Sequence, residues 1–263
     1  MTDVHDLSRL GDLTGLSFAG LSLAGLSLAG NEERWAIAAL LTLAFALLAR
    51  RMQGVTNSGA LVGAVSCFVL YLGGGAGAFA ALVSVFALAW ITTRLGYQRK
   101  QKLGTAERRE GRKGSQVLAN LGVATACAAL SLLDPHRTFF LLAMAAALSE
   151  AAADTVSSEI GQAYSQNARL ITSWNPVPPG TDGAVSLLGT LAGVVASGVV
   201  SSVCVLGGLL PMRWLPISGG AAILGMFADS FLGAWLERRR LVNNDSVNFL
   251  GTLIAAVAAF LLA

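Results

Sequence analysis

The sequence predicts an all-α fold: a polytopic integral membrane helical bundle with about eight transmembrane helices. Of the 263 residues, 54% are hydrophobic and 13% are charged, whereas soluble domains usually carry about 25% charge. The apolar residues occur in long runs rather than in the short alternating pattern of half-buried strands. Such runs suit lipid, where every backbone amide and carbonyl must be hydrogen-bonded within its own segment.

Eight apolar segments supply the predicted spans, at about 34–50, 58–73, 75–95, 115–133, 137–156, 184–208, 216–236 and 247–263. The glycines at positions 73–75 divide residues 58–95. That stretch is too long for one crossing, so we predict a tight hairpin of two spans. Residues 1–33 are predicted to form a flexible N-terminal tail, and residues 34–263 a single transmembrane domain.

The positions of the basic residues predict the orientation in the membrane. Fourteen of the 18 Lys and Arg residues fall on the side that contains residues 94–113. The positive-inside rule places this side in the cytoplasm and both termini on the opposite side. We therefore expect a multi-pass membrane protein, in the inner membrane if the source is bacterial, with its functional face toward the cytoplasm.

Histidine and cysteine usage excludes several classes of enzyme. The two histidines, His5 and His136, lie in polar segments far apart in the chain, and the three cysteines lie singly within apolar runs. No spacing matches a zinc site or a histidine-based hydrolase. No nucleic-acid partner is expected, and the oligomeric state stays open.

Polar residues precede the second, fourth, sixth and eighth spans, all of which begin on the cytoplasmic side. The four groups are 56–59, 114–116, 180–183 and 243–246. Each group is typical of ordinary helix capping, in which a Ser, Thr, Asp or Asn side chain bonds to a free amide. Four helix N-termini beside a basic loop also favour binding of an anion such as phosphate. Both interpretations remain open.

Acidic residues reach the same side on the fifth and seventh spans. Asp154 and Glu159 lie near the end of the fifth span, and Asp229 lies in the seventh. A carboxylate in a membrane helix normally faces a cavity, a partner or an ion. Because Mg²⁺ prefers one or two carboxylates together with phosphate oxygens, the three acids predict a metal-phosphate site. The alternative is a salt bridge from Asp154 or Asp229 to an arginine of the basic loop.

Loop 171–183 contains three prolines and two glycines and is predicted to be non-helical, with glycines that let backbone amides approach a ligand. Asn120 and Asn248 lie at the same depth in their spans. Either asparagine suits a helix-helix hydrogen bond as well as a ligand.

Five motifs follow one another along the chain. They are Asn57-Ser-Gly-Ala with Gly63; Arg112-x-x-x-Gln116-Val-Leu-Ala-Asn120; Ala153-Asp154-Thr-x-x-Ser158-Glu159-x-Gly161; Val177-Pro-x-Gly180-Thr-Asp-Gly-x-x-Ser186; and Asp229-Ser-x-x-Gly233. Together they resemble the membrane family called domain of unknown function 92, from about residue 35 to the C-terminus. That family includes animal transmembrane protein 19 and the plant phytyl-phosphate kinase of tocopherol synthesis.

The resemblance implies an isoprenyl-monophosphate kinase, a Mg²⁺-dependent transferase that moves a phosphate from a nucleoside triphosphate, CTP among the candidates, onto an isoprenoid lipid phosphate. It implies that Asp154, Glu159 and Asp229 act in catalysis and hold Mg²⁺. The residues that it places around the phosphates are Asn57, Arg112, Lys113, Gln116, Asn120, Ser158, Gly180, Thr181, Asp182, Gly183, Ser186 and Asn248. Phosphoryl transfer relies on positioning and charge neutralisation, and the chain supplies acids, basic residues and helix N-termini.

Two alternatives stay open at this stage. The first is a carrier or flippase for a phosphorylated lipid or small anion, in which the Ala-Asp motifs of spans five and seven would mark two related halves. A carrier needs its polar residues at the bilayer midplane, whereas here they collect at one boundary. A non-catalytic assembly factor is compatible with the same sequence. The glycines Gly189, Gly193 and Gly198 of span six predict either close helix contact or a groove for a lipid tail.

Overall fold

The computed structural model describes residues 12–134 and 137–263, with the backbone alone for residues 12–31. Both histidines lie outside the described residues, as does Arg9. The chain divides into two compact units, Met1–Leu41 and Thr42–Ala263. Helix α1 spans Asp12–Arg51, so its first residues fall within the predicted tail, and the flexibility of residues 1–33 stays a prediction.

The second unit consists mainly of helices. After α1, the helices are α2 (Asn57–Arg94), α3 (Tyr97–Leu103), α4 (Gly114–Leu130), α5 (Arg137–Tyr164), α6 (Leu187–Leu206), α7 (Leu215–Leu232) and α8 (Asn244–Leu261). A 3₁₀ turn at Met212–Trp214 precedes α7, and a π-helical turn at Gly233–Glu237 follows it.

Helix α2 doubles back at Gly75, which confirms the predicted hairpin. Gly75 has φ 65° and ψ −153°, outside the helical region, and glycine tolerates this backbone conformation. The indole of Trp90 and the guanidinium of Arg94 both donate to the carbonyl of Met52, at 3.0 and 2.7 Å. Met52 lies just before the start of α2, and a straight helix of this length would separate the two ends by more than about 50 Å.

Helix α5 lies at the centre of this unit, in contact with α2, α4, α6, α7 and α8. Small residues let α6 approach it closely. A Cβ on Gly189 would lie 2.6 Å from the carbonyl oxygen of Ser157, and one on Gly193 would lie 2.8 Å from that of Ala153. These two glycines therefore serve close helix contact, whereas Gly198 faces open space.

Five of the helices in the described residues are long and apolar enough to cross a membrane, and α4 is a shorter apolar helix. The five are Asn57–Arg94, Arg137–Tyr164, Leu187–Leu206, Met212–Glu237 and Asn244–Leu261. Because α2 is a hairpin, it supplies two passes. The protein is thus a polytopic helical bundle, as the sequence predicts.

Two of the predicted helix caps are confirmed by their hydrogen bonds. The side chains of Thr56 and Asn243 accept from the amides of Gly59 and Ser246. The side chain of Ser186, which lies outside the predicted groups, accepts from the amide of Gly189. The prediction that residues 180–183 cap the sixth span is wrong, because the short strand Ala184–Val185 intervenes and Ser186 is the cap. The bulky Val185 is extended in that strand, so the helix begins at Leu187.

The loop between α5 and α6 is non-helical, as predicted, and it contains a three-stranded antiparallel sheet that the sequence analysis missed. The strands are β1 (Ala168–Leu170), β2 (Pro176–Val177) and β3 (Ala184–Val185), in the order β2-β1-β3. Gly183 lets the loop lie close against the π-helical turn that follows α7, since a Cβ there would lie 2.4 to 2.6 Å from atoms of Ala234. The loop is thereby fixed over one end of the bundle.

Candidate functional site

A polar pocket with a volume of about 370 Å³ lies where the α5–α6 loop meets the ends of α4, α5, α7 and α8. It takes in thirteen of the fifteen residues that the sequence analysis proposed for the site. They are Arg112, Gln116, Asn120, Asp154, Ser158, Glu159, Gly180, Thr181, Asp182, Gly183, Ser186, Asp229 and Asn248. Residues more than one hundred positions apart in sequence are therefore brought to one place.

Asn57 and Lys113 are the two proposed residues that do not line the polar pocket. The amide oxygen of Asn57 accepts a hydrogen bond from Arg50 Nε at 2.7 Å, and the side chain is exposed. Lys113 is exposed at the N-terminus of α4, where its backbone amide donates to Gln116 Oε1 at 2.8 Å. Both residues thus lie at helix starts, outside the polar pocket.

Asp154 and Asp229 face the polar pocket from α5 and α7. Within the described residues, neither carboxylate forms a salt bridge to an arginine of the basic loop, the alternative that the sequence left open. The Oδ2 atom of Asp229 is buried and has no hydrogen-bond partner there. An unpartnered carboxylate oxygen beside a polar pocket is suited to binding a cation or a donor group of a ligand.

Glu159 is already bonded on both carboxylate oxygens. Thr93 donates to its Oε1 at 3.2 Å, and the ammonium of Lys100 forms a salt bridge to its Oε2. Lys100 is completely buried and also donates to the carbonyls of Thr92 and Thr93, at 3.0 and 2.8 Å. Coordination of a metal by Glu159 would require this pair to separate, so in this structure Glu159 fastens α3 to α5.

Arg112 is held in place by its backbone. Its amide donates to the carbonyl of Gly54 and its own carbonyl accepts from the amide of Thr56, both at 3.0 Å. Two guanidinium nitrogens lie 3.4 Å from Thr155 Oγ1, beside Asp154 on α5. A planar guanidinium fixed at the edge of a pocket is well suited to binding phosphate oxygens.

Gln116 and Asn120 lie one turn apart on α4. Gln116 Nε2 donates to Glu107 Oε2 at 3.1 Å, and Asn120 Nδ2 donates to the carbonyl of Gln116 at 2.8 Å. Asn120 is therefore bonded within its own helix rather than across to a neighbouring helix. No hydrogen bond to its amide oxygen is found among the described residues, so this oxygen is available to a ligand.

An apolar cavity of about 330 Å³ adjoins the polar pocket. Its walls come from the end of α1, both halves of α2 and the start of α4, with Phe45, Leu82, Phe86 and Trp90 among the lining side chains. Glu107, Arg112 and Asn120 line both spaces. Each volume falls within the roughly 300–1,000 Å³ of ligand sites, so a polar and an apolar compartment meet at Arg112.

The donor set of the polar pocket fits a divalent cation in part. Mg²⁺ is usually held by one or two carboxylates, phosphate oxygens and water, and Asp154 and Asp229 offer two carboxylates. In the ranges that the structure describes, no group of three or more His, Cys, Asp or Glu side chains is already arranged to hold a metal. A bound phosphate would therefore supply part of the coordination.

Sequence reasoning missed several acidic and basic groups of this region. Glu107 and Glu237 line the polar pocket, Lys100 neutralises Glu159, and Glu150 lies deeper in α5. Glu150 precedes Asp154 by four residues, so the two share one helical face. That spacing, in an otherwise alanine-rich segment, was the signal that identifies Glu150.

These features define a class: a polytopic membrane protein with a polar, acid-lined pocket at one end of its bundle and an apolar cavity beside it. The chain belongs to the integral membrane protein family DUF92, whose model matches residues 40–256. The match covers α2 to α8 almost entirely and includes every residue of the polar pocket.

Three relatives illustrate the family. An uncharacterized membrane protein of Synechocystis sp. is 34% identical over 183 residues, which is 68% of this chain and 70% of that protein. The protein VTE6, chloroplastic, of Arabidopsis thaliana is 32% identical over 197 residues, which is 72% of this chain and 59% of VTE6. An uncharacterized membrane protein of Methanocaldococcus jannaschii is 29% identical over 230 residues, 87% of this chain and 94% of that one. No solved structure matches the chain.

Proposed function

We propose that this protein is a membrane-embedded isoprenyl-monophosphate kinase, which transfers a phosphoryl group from a nucleoside triphosphate to an isoprenoid lipid phosphate with Mg²⁺ as cofactor. One observation carries the proposal: the polar pocket and the apolar cavity adjoin and share Arg112. A lipid phosphate needs both environments, because its tail must leave water while its headgroup stays hydrated or paired with charge. The resemblance to the family of the plant phytyl-phosphate kinase supports the same substrate class.

In this reaction an oxygen of the lipid phosphate forms a bond to the terminal phosphorus of the nucleotide. The bond from that phosphorus to the bridging oxygen breaks, the nucleoside diphosphate leaves, and the lipid becomes a diphosphate. Such a transfer needs positioning and charge stabilisation more than covalent help from the protein. Mg²⁺, when bound, would neutralise charge on the phosphate oxygens.

Different residues of this chain bind the phosphate and the cation in the proposed reaction. The guanidinium of Arg112 binds phosphate at the border between the two spaces, and Asp154 and Asp229 hold the cation. The N-terminal residues of α4, α6 and α8 line the pocket, so the positive ends of three helix dipoles favour the triphosphate. The proposed orientation keeps this end in the cytoplasm, where nucleotides are supplied.

A transfer assay tests the proposal. Purified protein with Mg²⁺, a C15 to C20 prenyl phosphate and CTP or ATP labelled in the terminal phosphate should yield labelled prenyl diphosphate. Asp154→Asn should lower the rate by about 10²-fold or more, since it removes a carboxylate that holds the cation on the reacting phosphate. Glu110→Gln, at an exposed acid outside both spaces, should leave the rate unchanged.

The assay contradicts the proposal if no nucleotide in a panel gives product, or if Asp154→Asn and Glu110→Gln behave alike.

A second candidate, a carrier of phosphorylated lipid, is favoured by one observation: the buried carboxyl of Glu150 near the middle of α5. Alternating access needs polar groups at this depth. Flux of prenyl phosphate across liposome membranes without nucleotide would favour the carrier.

A further inference from the structure

Glu150 is a glutamate near the middle of the most enclosed helix of the bundle. It is 1% exposed, and it lies one helical turn deeper in α5 than Asp154. A carboxylate at the centre of a membrane helix is energetically costly. Such a group normally has a partner or a ligand, so its surroundings are informative.

Two glycines on the neighbouring helices make room for this side chain. A Cβ on Gly225 of α7 would lie 2.7 Å from Glu150 Cγ. A Cβ on Gly251 of α8 would lie 2.6 Å from Glu150 Oε1 and 3.4 Å from Asp229 Oδ2. The same point beside Gly251 is therefore approached by one carboxylate oxygen from α5 and one from α7.

Both of those oxygens lack a partner. Glu150 Oε1 and Asp229 Oδ2 are buried without any hydrogen bond among the described residues. Among the described residues, no basic side chain forms a salt bridge with Glu150 or Asp229, and Lys100 pairs with Glu159 instead. Two unpartnered buried carboxylate oxygens at one point lack the positive charge that normally accompanies such groups.

Asp229 connects this point to the polar pocket, since it lines the pocket together with Asp154. The side chain of Asp229, rather than lipid, therefore separates the pocket from the inner oxygens. Oxygen ligands of this kind, carboxylates together with water, are those that hard divalent cations take.

We propose that Glu150 and Asp229 bind a divalent cation at the inner end of the polar pocket, with Gly225 and Gly251 providing the space. This inference deepens the proposed function, because it names a carboxylate ligand that neither the motifs nor the pocket lining contains. Its cation binding does not require nucleotide or lipid.

Binding of Mn²⁺ tests the inference directly. Purified full-length protein in detergent, without nucleotide, is titrated with Mn²⁺, and free Mn²⁺ is measured by electron paramagnetic resonance. The wild-type protein should bind Mn²⁺ and unfold at a higher temperature in its presence. Since loss of even an outer-shell partner lowers metal affinity by about 10–100-fold, Glu150→Gln should weaken binding by no less and abolish the thermal shift.

Gly251→Ala provides a second variant that leaves both carboxylates in the chain. Its methyl group occupies the space beside Glu150 Oε1, so it should also weaken Mn²⁺ binding, whereas Glu110→Gln should bind like the wild type. The inference is overturned if the wild type binds no Mn²⁺, or if Glu150→Gln binds it as tightly as Glu110→Gln does.

The transfer assay reports separately on the proposed function. A protein that makes prenyl diphosphate but whose Mn²⁺ affinity does not depend on Glu150 contradicts this inference alone. A protein that binds Mn²⁺ through Glu150 but makes no product contradicts the kinase and retains the cation site.

Discussion

Glu150 and Glu159 are buried glutamates of the same helix, but only the carboxylate of Glu159 has a partner on both oxygens. Glu159 has a hydrogen bond from Thr93 and a salt bridge from Lys100, so both of its oxygens are satisfied. Glu150 has an oxygen without a partner and lies between two helices that carry glycine at the contact. The contrast teaches that burial of an acid does not define its role, whereas the presence or absence of a built-in countercharge does.

The largest effect should come from removing the countercharge of Glu159. Lys100→Ala leaves a buried carboxylate without its partner, and we expect the free energy of unfolding to fall by about 3–5 kcal/mol. Lys102→Ala, at an exposed lysine on the same short helix, is the matched control. Thermal unfolding in detergent measures both variants, and equal stability would show that the pair does not fasten α3 to α5.

A smaller effect should come from filling the space beside Glu150. Gly225→Ala places a methyl group 2.7 Å from both Glu150 Cγ and the carbonyl oxygen of Gly251, and overpacking of this kind costs about 1–3 kcal/mol. Gly220→Ala, on the same helix, meets nothing within 4 Å. It should be neutral or up to about 1 kcal/mol more stable. If the two variants unfold at the same temperature, the space around Glu150 is not tightly defined.

The smallest effect should come from Glu150→Gln when the two acids are compared in metal-free protein. Glu159→Gln leaves the buried ammonium of Lys100 with a neutral acceptor in place of its countercharge and should destabilise the protein by about 1.5–3 kcal/mol. Glu150→Gln removes a carboxylate that has no partner, so stability should be unchanged or higher. Loss of stability in Glu150→Gln and not in Glu159→Gln, measured by thermal unfolding with a chelator present, would reverse the comparison.

The hairpin at Gly75 and most of the polar pocket were predictable from the sequence. Three glycines in an overlong apolar run indicate a turn, and polar groups at the ends of spans on one side must meet if the topology is right. The salt bridge of Lys100 was not predictable, because it depends on the short helix α3 folding back against α5. The bond of Asn57 was not predictable for a related reason, since a side chain at a helix start can bond to a neighbour such as Arg50 as readily as to a ligand.

Glu150 is a residue of this region that the sequence motifs do not include. It lies four residues before Asp154 and thus on the same face of α5, but the motif that carries the family resemblance begins at Ala153. The missing information was spatial: Gly225 and Gly251 lie far along the chain, and only their position against Glu150 shows that a carboxyl is accommodated there. The strands between α5 and α6 escaped prediction because they are two or three residues long.

A crystal structure with Mn²⁺ and a non-hydrolysable nucleoside triphosphate tests the central claim most directly, through the anomalous scattering of the metal. The account predicts Mn²⁺ bound by Asp229, together with Asp154 or Glu150, and nucleotide phosphates beside Arg112, with Glu159 still paired to Lys100. Mn²⁺ bound at Glu159 after separation of that pair, or nucleotide bound outside the polar pocket, would contradict it.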